Sequence, residues 1–229
     1  MQEKTAILIF GNTAAREASV KNFTLGGGQQ RNQQIAEYLI RKTYATAYQS
    51  GLPVLSCSSD QQTGDTFGER LANAIEGAYS LGYQEVITIG TDSPELSADH
   101  LLQAQQLLKQ GAAVYGPASD GGVYLIGLHA ETYDREQFLS LAWQGEELQT
   151  SIAHTHKQAI AWLGEACDID TAEDLQHYLT TTTSSWGVQI RRLLSSPTTH
   201  QSYFSVPLYI GQFLQSLQHR GPPQVAIAA

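Results

Sequence analysis

The chain has 229 residues, 41% of them hydrophobic and 15% charged, with a formal net charge of −9. That suffices for one sizeable α/β domain with an appendage, and the acid excess without any basic stripe excludes a typical nucleic-acid binder. No stretch approaches the roughly 18 apolar residues of a membrane span, and no apolar leader opens the chain, so a cytoplasmic protein is expected.

Thr5 to Phe10 (TAILIF) is a short apolar run that reads as a buried first strand. Gly11 to Gly28 follows as a long loop, and a loop of that length is unusual in a compact domain, so it is either functional or partly mobile. Ile35, Leu39, Ile40, Thr43 and Ala47 recur at helical spacing within Gln29–Ala47. Pro53–Cys57 reads as a second strand. Thr66 and Glu69 form a capping box, and Leu71, Ile75, Ala78 and Tyr79 continue an amphipathic helix that stops by Gly82. Glu85–Gly90 is a third strand. Ser97 caps a helix that Gly111 ends. Ala112–Tyr115 and Val123–Leu128 are the fourth and fifth strands. Helices are expected over Tyr133–Leu141 and Glu146–Ala159, then a strand over Ala159–Leu163 and a short helix from Thr171 to Leu179.

Alternating strands and helices over residues 5 to 179 argue for a three-layer α/β/α sandwich with a mostly parallel sheet. Composition then shifts at Thr180–Ser185 (TTTTSS), which reads as a linker. The expected organisation is therefore a domain over 1–179 and an extension over 180–229. The apolar set in that extension, from Val188 to Leu217, needs burial on the core or on a second copy of the chain, so a homo-oligomer is one expectation.

Several carboxylates fall just past strand ends, where ligands bind in open α/β sheets. Asp92 follows the third strand in Gly90-Thr91-Asp92-Ser93-Pro94. It can hold Mg²⁺ together with ligand phosphates, or it can belong to a stiff turn. Asp120-Gly121-Gly122 lies between two apolar runs, as a hairpin turn, as a close approach to a ligand, or as both. Asp168 and Asp170 share one face of an extended segment and could form a second clamp on a cation, or Asp170 or Thr171 could cap the next helix. The scattered histidines, His154 and His156 included, read as solvated. Cys57 and Cys167 read as packed free thiols, and no serine sits in a nucleophile elbow.

Four motifs in order carry a family resemblance: Gly64-Asp65 with Phe67-Gly68-Glu69-Arg70-Leu71; Ile89 to Leu96; Gly116 to Leu128; and Asp168 to Leu175. Together they resemble the bacterial glycosyltransferase-like family of the arsenosugar-biosynthesis type, once a domain of unknown function. It belongs to the nucleotide-diphospho-sugar transferase (GT-A-like) superfamily and has relatives among the molybdopterin and phospholactate nucleotidylyltransferases. The resemblance implies a GT-A-like fold and a divalent cation (Mg²⁺ or Mn²⁺) at Asp92, with Asp168 or Asp170 as a second carboxylate. It also implies a role for Asp120 in orienting the acceptor or acting as base. Gly11, Asn12, Arg16, Lys21, Thr91, Ser93, Gly121 and Gly122 are the expected nucleotide or substrate contacts.

The chain departs from the family pattern over Arg16–Phe23. Lys21 is kept, a proline-glycine pair is missing, and Phe23 or its neighbours stand where an arginine is expected. Three readings follow. The first is a metal-dependent glycosyltransferase that takes a nucleotide-diphospho-sugar and a small-molecule acceptor. The second is a nucleotidylyltransferase that uses a nucleoside triphosphate. The third is a catalytically inactive scaffold of the same fold.

Overall fold

The computed structural model describes residues 4–25, 28–145, 147–155 and 159–195. Strand β1 (Thr5–Gly11) is buried along nearly its whole length because helices cover both of its faces, which is why its sequence is a continuous apolar run rather than an alternating one. Helix α1 (Ala14–Val20) and α2 (Gly28–Gln49) precede β2 (Val54–Ser58). Then come α3 (Phe67–Ser80), β3 (Glu85–Ile89), α4 (Ala98–Lys109), β4 (Ala113–Pro117) and β5 (Val123–His129). The described chain closes with α5 (Arg135–Leu139), α6 (Leu148–Thr155), β6 (Ile160–Trp162), α7 (Ala172–Thr181) and α8 (Ser185–Ser195).

The strands form one sheet of order β2-β1-β3-β5-β4-β6. Pairs β1–β2, β1–β3 and β4–β6 are parallel, and β5 runs antiparallel to both β3 and β4. The sheet is thus mostly parallel with one reversed strand. That reversal matters for function, because the β4–β5 hairpin tip falls on the same edge as the carboxyl ends of the parallel strands.

Successive residues of β1 point to opposite faces, so two cores form. Ala6, Leu8 and Phe10 pack with Leu71, Ala72 and Ile75 of α3 and with Phe138 and Ile152. Ile7 and Ile9 pack with Ile87, Ile89, Leu101, Ala104 and Leu108 on the α4 side. This is the expected three-layer sandwich. A third cluster joins Ala18, Phe23, Ile35, Leu39, Ile169, Leu175, Tyr178 and Ile190, so α1, α2, α7 and α8 share a satellite core.

Three sequence expectations change. The stretch 11–28, read as a loop, contains α1, capped by Thr13, whose side chain accepts from the Arg16 amide. Its apolar side is narrow (Ala18 buried, Val20 exposed), so no helical stripe shows in the sequence. The expected helix over 146–159 is α6, Leu148–Thr155. Thr180 and Thr181 finish α7 rather than begin a linker, and Ile190 of α8 is buried in the satellite core. The apolar residues from Tyr203 to Leu217 lie outside the described residues.

Candidate active site

The site is assembled at the carboxyl edge of the sheet. Chain leaving β1 passes Gly11, where a Cβ would lie 2.9 Å from the Thr91 side chain, so glycine lets the β1 and β3 exits meet. Asn12 then donates from Nδ2 to Glu17 Oε2 at 2.7 Å and holds that carboxylate in place. Glu17 is buried on α1, one turn before Lys21. Asn32 of α2 fixes the chain after α1: its Nδ2 donates to the carbonyls of Ala18 (2.9 Å) and Lys21 (2.6 Å), and its Oδ1 accepts from the Phe23 amide (2.6 Å). A buried amide that satisfies three backbone groups is a costly part to lose.

From this support the Lys21 ammonium reaches three carboxylates. Nζ lies 2.8 Å from Glu17 Oε1, 2.7 Å from Asp92 Oδ2 and 2.7 Å from Asp170 Oδ1. Burial works against its charge, but Asp92, Glu17 and Asp170 outweigh that and hold its pKa above the ordinary lysine value. Asp170 is brought there by an isolated parallel bridge between Asn22 and Thr171. Thr171, not Asp170, caps α7, in a capping box with Asp174.

The loop after β3 supplies Asp92. At Gly90 a Cβ would sit 2.8 Å from Asp92 Oδ1, so the glycine makes room for the carboxylate to fold back over the strand end. The buried hydroxyl of Ser93 donates to Asp168 Oδ1. The Ile169 amide donates to the Asp92 carbonyl (2.9 Å), and the Cys167 amide donates to Glu95 Oε2 (3.1 Å). These contacts bind the 167–170 segment to the 92–95 loop. Burial pushes the Asp168 carboxyl up to about 7, and the neighbouring charges of Asp92, Asp120 and Asp170 add to that rise, against the opposing bond from Ser93. Burial is the larger cause, and the neighbouring carboxylates act in the same direction.

Asp120 sits at the β4–β5 hairpin tip, where its Oδ1 accepts from the Gly122 amide at 2.8 Å and Gly121 takes φ +92°. The hairpin and ligand-side expectations therefore coexist. Gln149 of α6 donates to the carbonyls of Ala118 (2.8 Å) and Gly122 (2.9 Å), which steadies this tip.

Of the residues singled out from sequence, Asp92, Asp168, Asp170 and Lys21 converge, with Ser93 bonded into the group and Asp120 close enough to act on Asp168. Gly11, Asn12 and Thr91 act behind them as supports. Arg16 stands apart: it is exposed on α1 and, among the described residues, makes no ion pair with the carboxylates. Phe23 is only 1% exposed and belongs to the satellite core, so it offers nothing to a ligand. Three contributors were not legible. Glu17 pairs with Lys21 at i,i+4 spacing, a signal visible only once α1 is recognised. Asn32 lies on a predicted helix but shows no motif. Lys42 of α2 is buried and donates from Nζ to the Leu96 carbonyl at 2.5 Å, bracing the 92–96 loop from beneath. Burial lowers its pKa to about 8, against the pull of Glu95.

A divalent cation suits this donor set. The carboxylates are hard oxygen donors, their charge exceeds that of the one ammonium they share, and Asp92 Oδ1 and Asp170 Oδ2 make no hydrogen bond among the described residues. Among the described residues no group of three or more His, Cys, Asp or Glu side chains is placed to hold a metal ion by itself. Such a cation would need oxygen ligands from water or substrate, as Mg²⁺ usually does. No helix among the described residues is long and apolar enough to cross a membrane.

The family described as an uncharacterized protein conserved in bacteria (DUF2064) matches residues 30–145. No curated protein matches the chain. Among solved structures, a protein of Desulfovibrio desulfuricans G20, provisionally assigned as a nucleotide-diphospho-sugar transferase, is 21% identical with a TM-score of 0.71 over 83% of this chain and 95% of that one. Rv0371c from Mycobacterium tuberculosis H37Rv is 12% identical, with a TM-score of 0.49 over 86% of this chain and 100% of that one. The 4-diphosphocytidyl-2C-methyl-D-erythritol synthase of Anaerococcus prevotii DSM 20548 is 12% identical, with a TM-score of 0.48 over 75% and 94%. At these identities the first likeness establishes the fold and the other two add no weight.

Proposed function

We propose that this chain, which belongs to the DUF2064 family and has the nucleotide-diphospho-sugar transferase fold, is a metal-dependent transferase acting on a nucleotide-diphospho-sugar. One observation carries the reading: Asp92 and Asp170 meet Lys21 at the carboxyl edge of the sheet, with Asp168 bonded to Ser93 beside them and Asp120 at the adjoining hairpin tip. A carboxylate cluster repels a diphosphate unless positive charge lies between them. Asp92 with Asp168 or Asp170 would hold Mg²⁺ or Mn²⁺. When bound, that cation would act as a Lewis acid on the leaving diphosphate. Lys21 would add positive charge on the phosphate side. Ser93 fixes the Asp168 carboxyl, and Gly11 and Gly90 allow the loops that carry these groups to approach closely. Asp120, held by the Gly122 amide, would orient a small-molecule acceptor or take its proton.

The buried Phe23 and the outward Arg16 support a second reading, an inactive scaffold of the same fold, because the loop lacks a bidentate phosphate donor. Calorimetry with Mn²⁺ and UDP- or GDP-sugars, set against plain nucleoside triphosphates, separates the readings. Binding of the sugars with turnover supports glycosyl transfer, and binding of triphosphates alone moves the assignment to nucleotidyl transfer. No binding of either class at millimolar concentration leaves the scaffold.

A further inference from the structure

Lys21 stands where the cation's ligands converge, and its partners differ in kind. Glu17 is local, one turn back on α1, whereas Asp92 and Asp170 come from the β3 exit and from the segment before α7. A cation that takes oxygens from Asp92 and Asp170 must share or replace two of the three ion pairs made by Nζ. The ammonium does not then lose all support, because Glu17 is itself held by Asn12 and travels with α1. It also has somewhere to turn. Lys21 lines a cavity of about 350 Å³ together with Ser19, Asn22, Thr24 and Gln29. No carboxylate is among the residues lining it, so a displaced ammonium on that side would sit among neutral polar groups and face whatever anion enters.

We propose that Lys21 is an exchangeable internal counter-ion: it occupies the carboxylate cluster in the metal-free protein, and cation uptake displaces it from Asp92 and Asp170 while Glu17 retains it. This rests on the cation reading given above. Two consequences follow. In the metal-free protein Lys21 offsets part of the cluster's negative charge, which lessens the repulsion between Asp92 and Asp170. Cation loading also frees a positive charge beside the site, so cation and anionic substrate bind with positive coupling through Lys21.

The test measures Mn²⁺ binding to the full chain by the electron paramagnetic resonance signal of free Mn²⁺, for wild type and for Lys21→Met and Lys21→Arg. If Lys21 competes for the oxygens, folded Lys21→Met binds Mn²⁺ at least about tenfold tighter than wild type, and its Tm rises further on Mn²⁺ addition, while Lys21→Arg stays near wild type. Equal or weaker Mn²⁺ affinity in Lys21→Met overturns the proposal and leaves the cation reading intact. Failure of wild type and both variants to bind Mn²⁺ at millimolar concentration overturns the cation reading and this proposal with it. Should Lys21→Met not fold, the ¹⁵Nζ resonance of Lys21 in wild type replaces it: the proposal expects that resonance to shift on Mg²⁺ saturation, and an unchanged resonance overturns it.

Discussion

Replacing Asp168 by asparagine isolates the electrostatic cost of the cluster. Asn keeps an oxygen that can accept from the Ser93 hydroxyl and replaces the other carboxylate oxygen by a neutral NH2, so the group no longer ionises. In the folded protein the Asp168 carboxyl titrates near 7, raised from 3.8 by burial and by Asp92, Asp120 and Asp170. A raised acid means that the folded state binds more protons than the unfolded state between about pH 4 and about pH 7. Stability therefore falls as pH rises through that window and levels off above it. The rise from 3.8 to about 7 sets the cost on the order of 2–4 kcal/mol when ionisation is complete. Urea unfolding in the presence of EDTA reads it directly. At pH 8, Asp168→Asn is expected to be about 2–4 kcal/mol more stable than wild type, and the two should converge near pH 4. A variant no more stable than wild type at pH 8, or one with the same stability loss from pH 4 to 7, would refute the account of the cluster as under-neutralised.

Asn32→Ala strands the Phe23 amide and the carbonyls of Ala18 and Lys21, and should cost about 2–4 kcal/mol in urea unfolding. Asn32→Asp should be worse still, because it sets a carboxylate against two carbonyls. Lys42 has a folded pKa near 8 against 10.5 when exposed, so wild-type stability should rise from about pH 8 to 10.5 as the buried ammonium is no longer required to stay charged. Lys42→Met should abolish that rise, the relief of the buried charge being offset in part by the Leu96 carbonyl left without its donor. Gly90→Ala puts a Cβ 2.8 Å from Asp92 Oδ1, so it should weaken Mn²⁺ binding about tenfold while unfolding stability changes by only about 1 kcal/mol. Unaltered Mn²⁺ affinity would show that Asp92 does not need that room.

Much of the fold was legible because it is written in local patterns. The apolar runs of β1 and β3, the helical spacing in α2 and α3, and the caps at Thr66, Ser97 and Thr171 each depend on residues a few positions apart. The hairpin at Asp120-Gly121-Gly122 was legible for the same reason, since a left-handed Gly121 is a local demand. The carboxylates could be named as candidates because each follows a strand end.

Which of them meet could not be read this way. Thirteen to twenty carried no apolar stripe, so α1 stayed hidden, and with it the Glu17–Lys21 pair. The sheet order placed β5 between β3 and β4 in reverse, which brought Asp120 to the edge shared by Asp92. The Asn22–Thr171 bridge delivered Asp170 to Lys21, and Lys42 found the Leu96 carbonyl. The sequence by itself determined the elements, their order and the kinds of groups at their ends. Only the tertiary structure decided that one ammonium would be shared by Glu17, Asp92 and Asp170, because that choice rests on contacts between segments far apart in the chain, which no local spacing encodes.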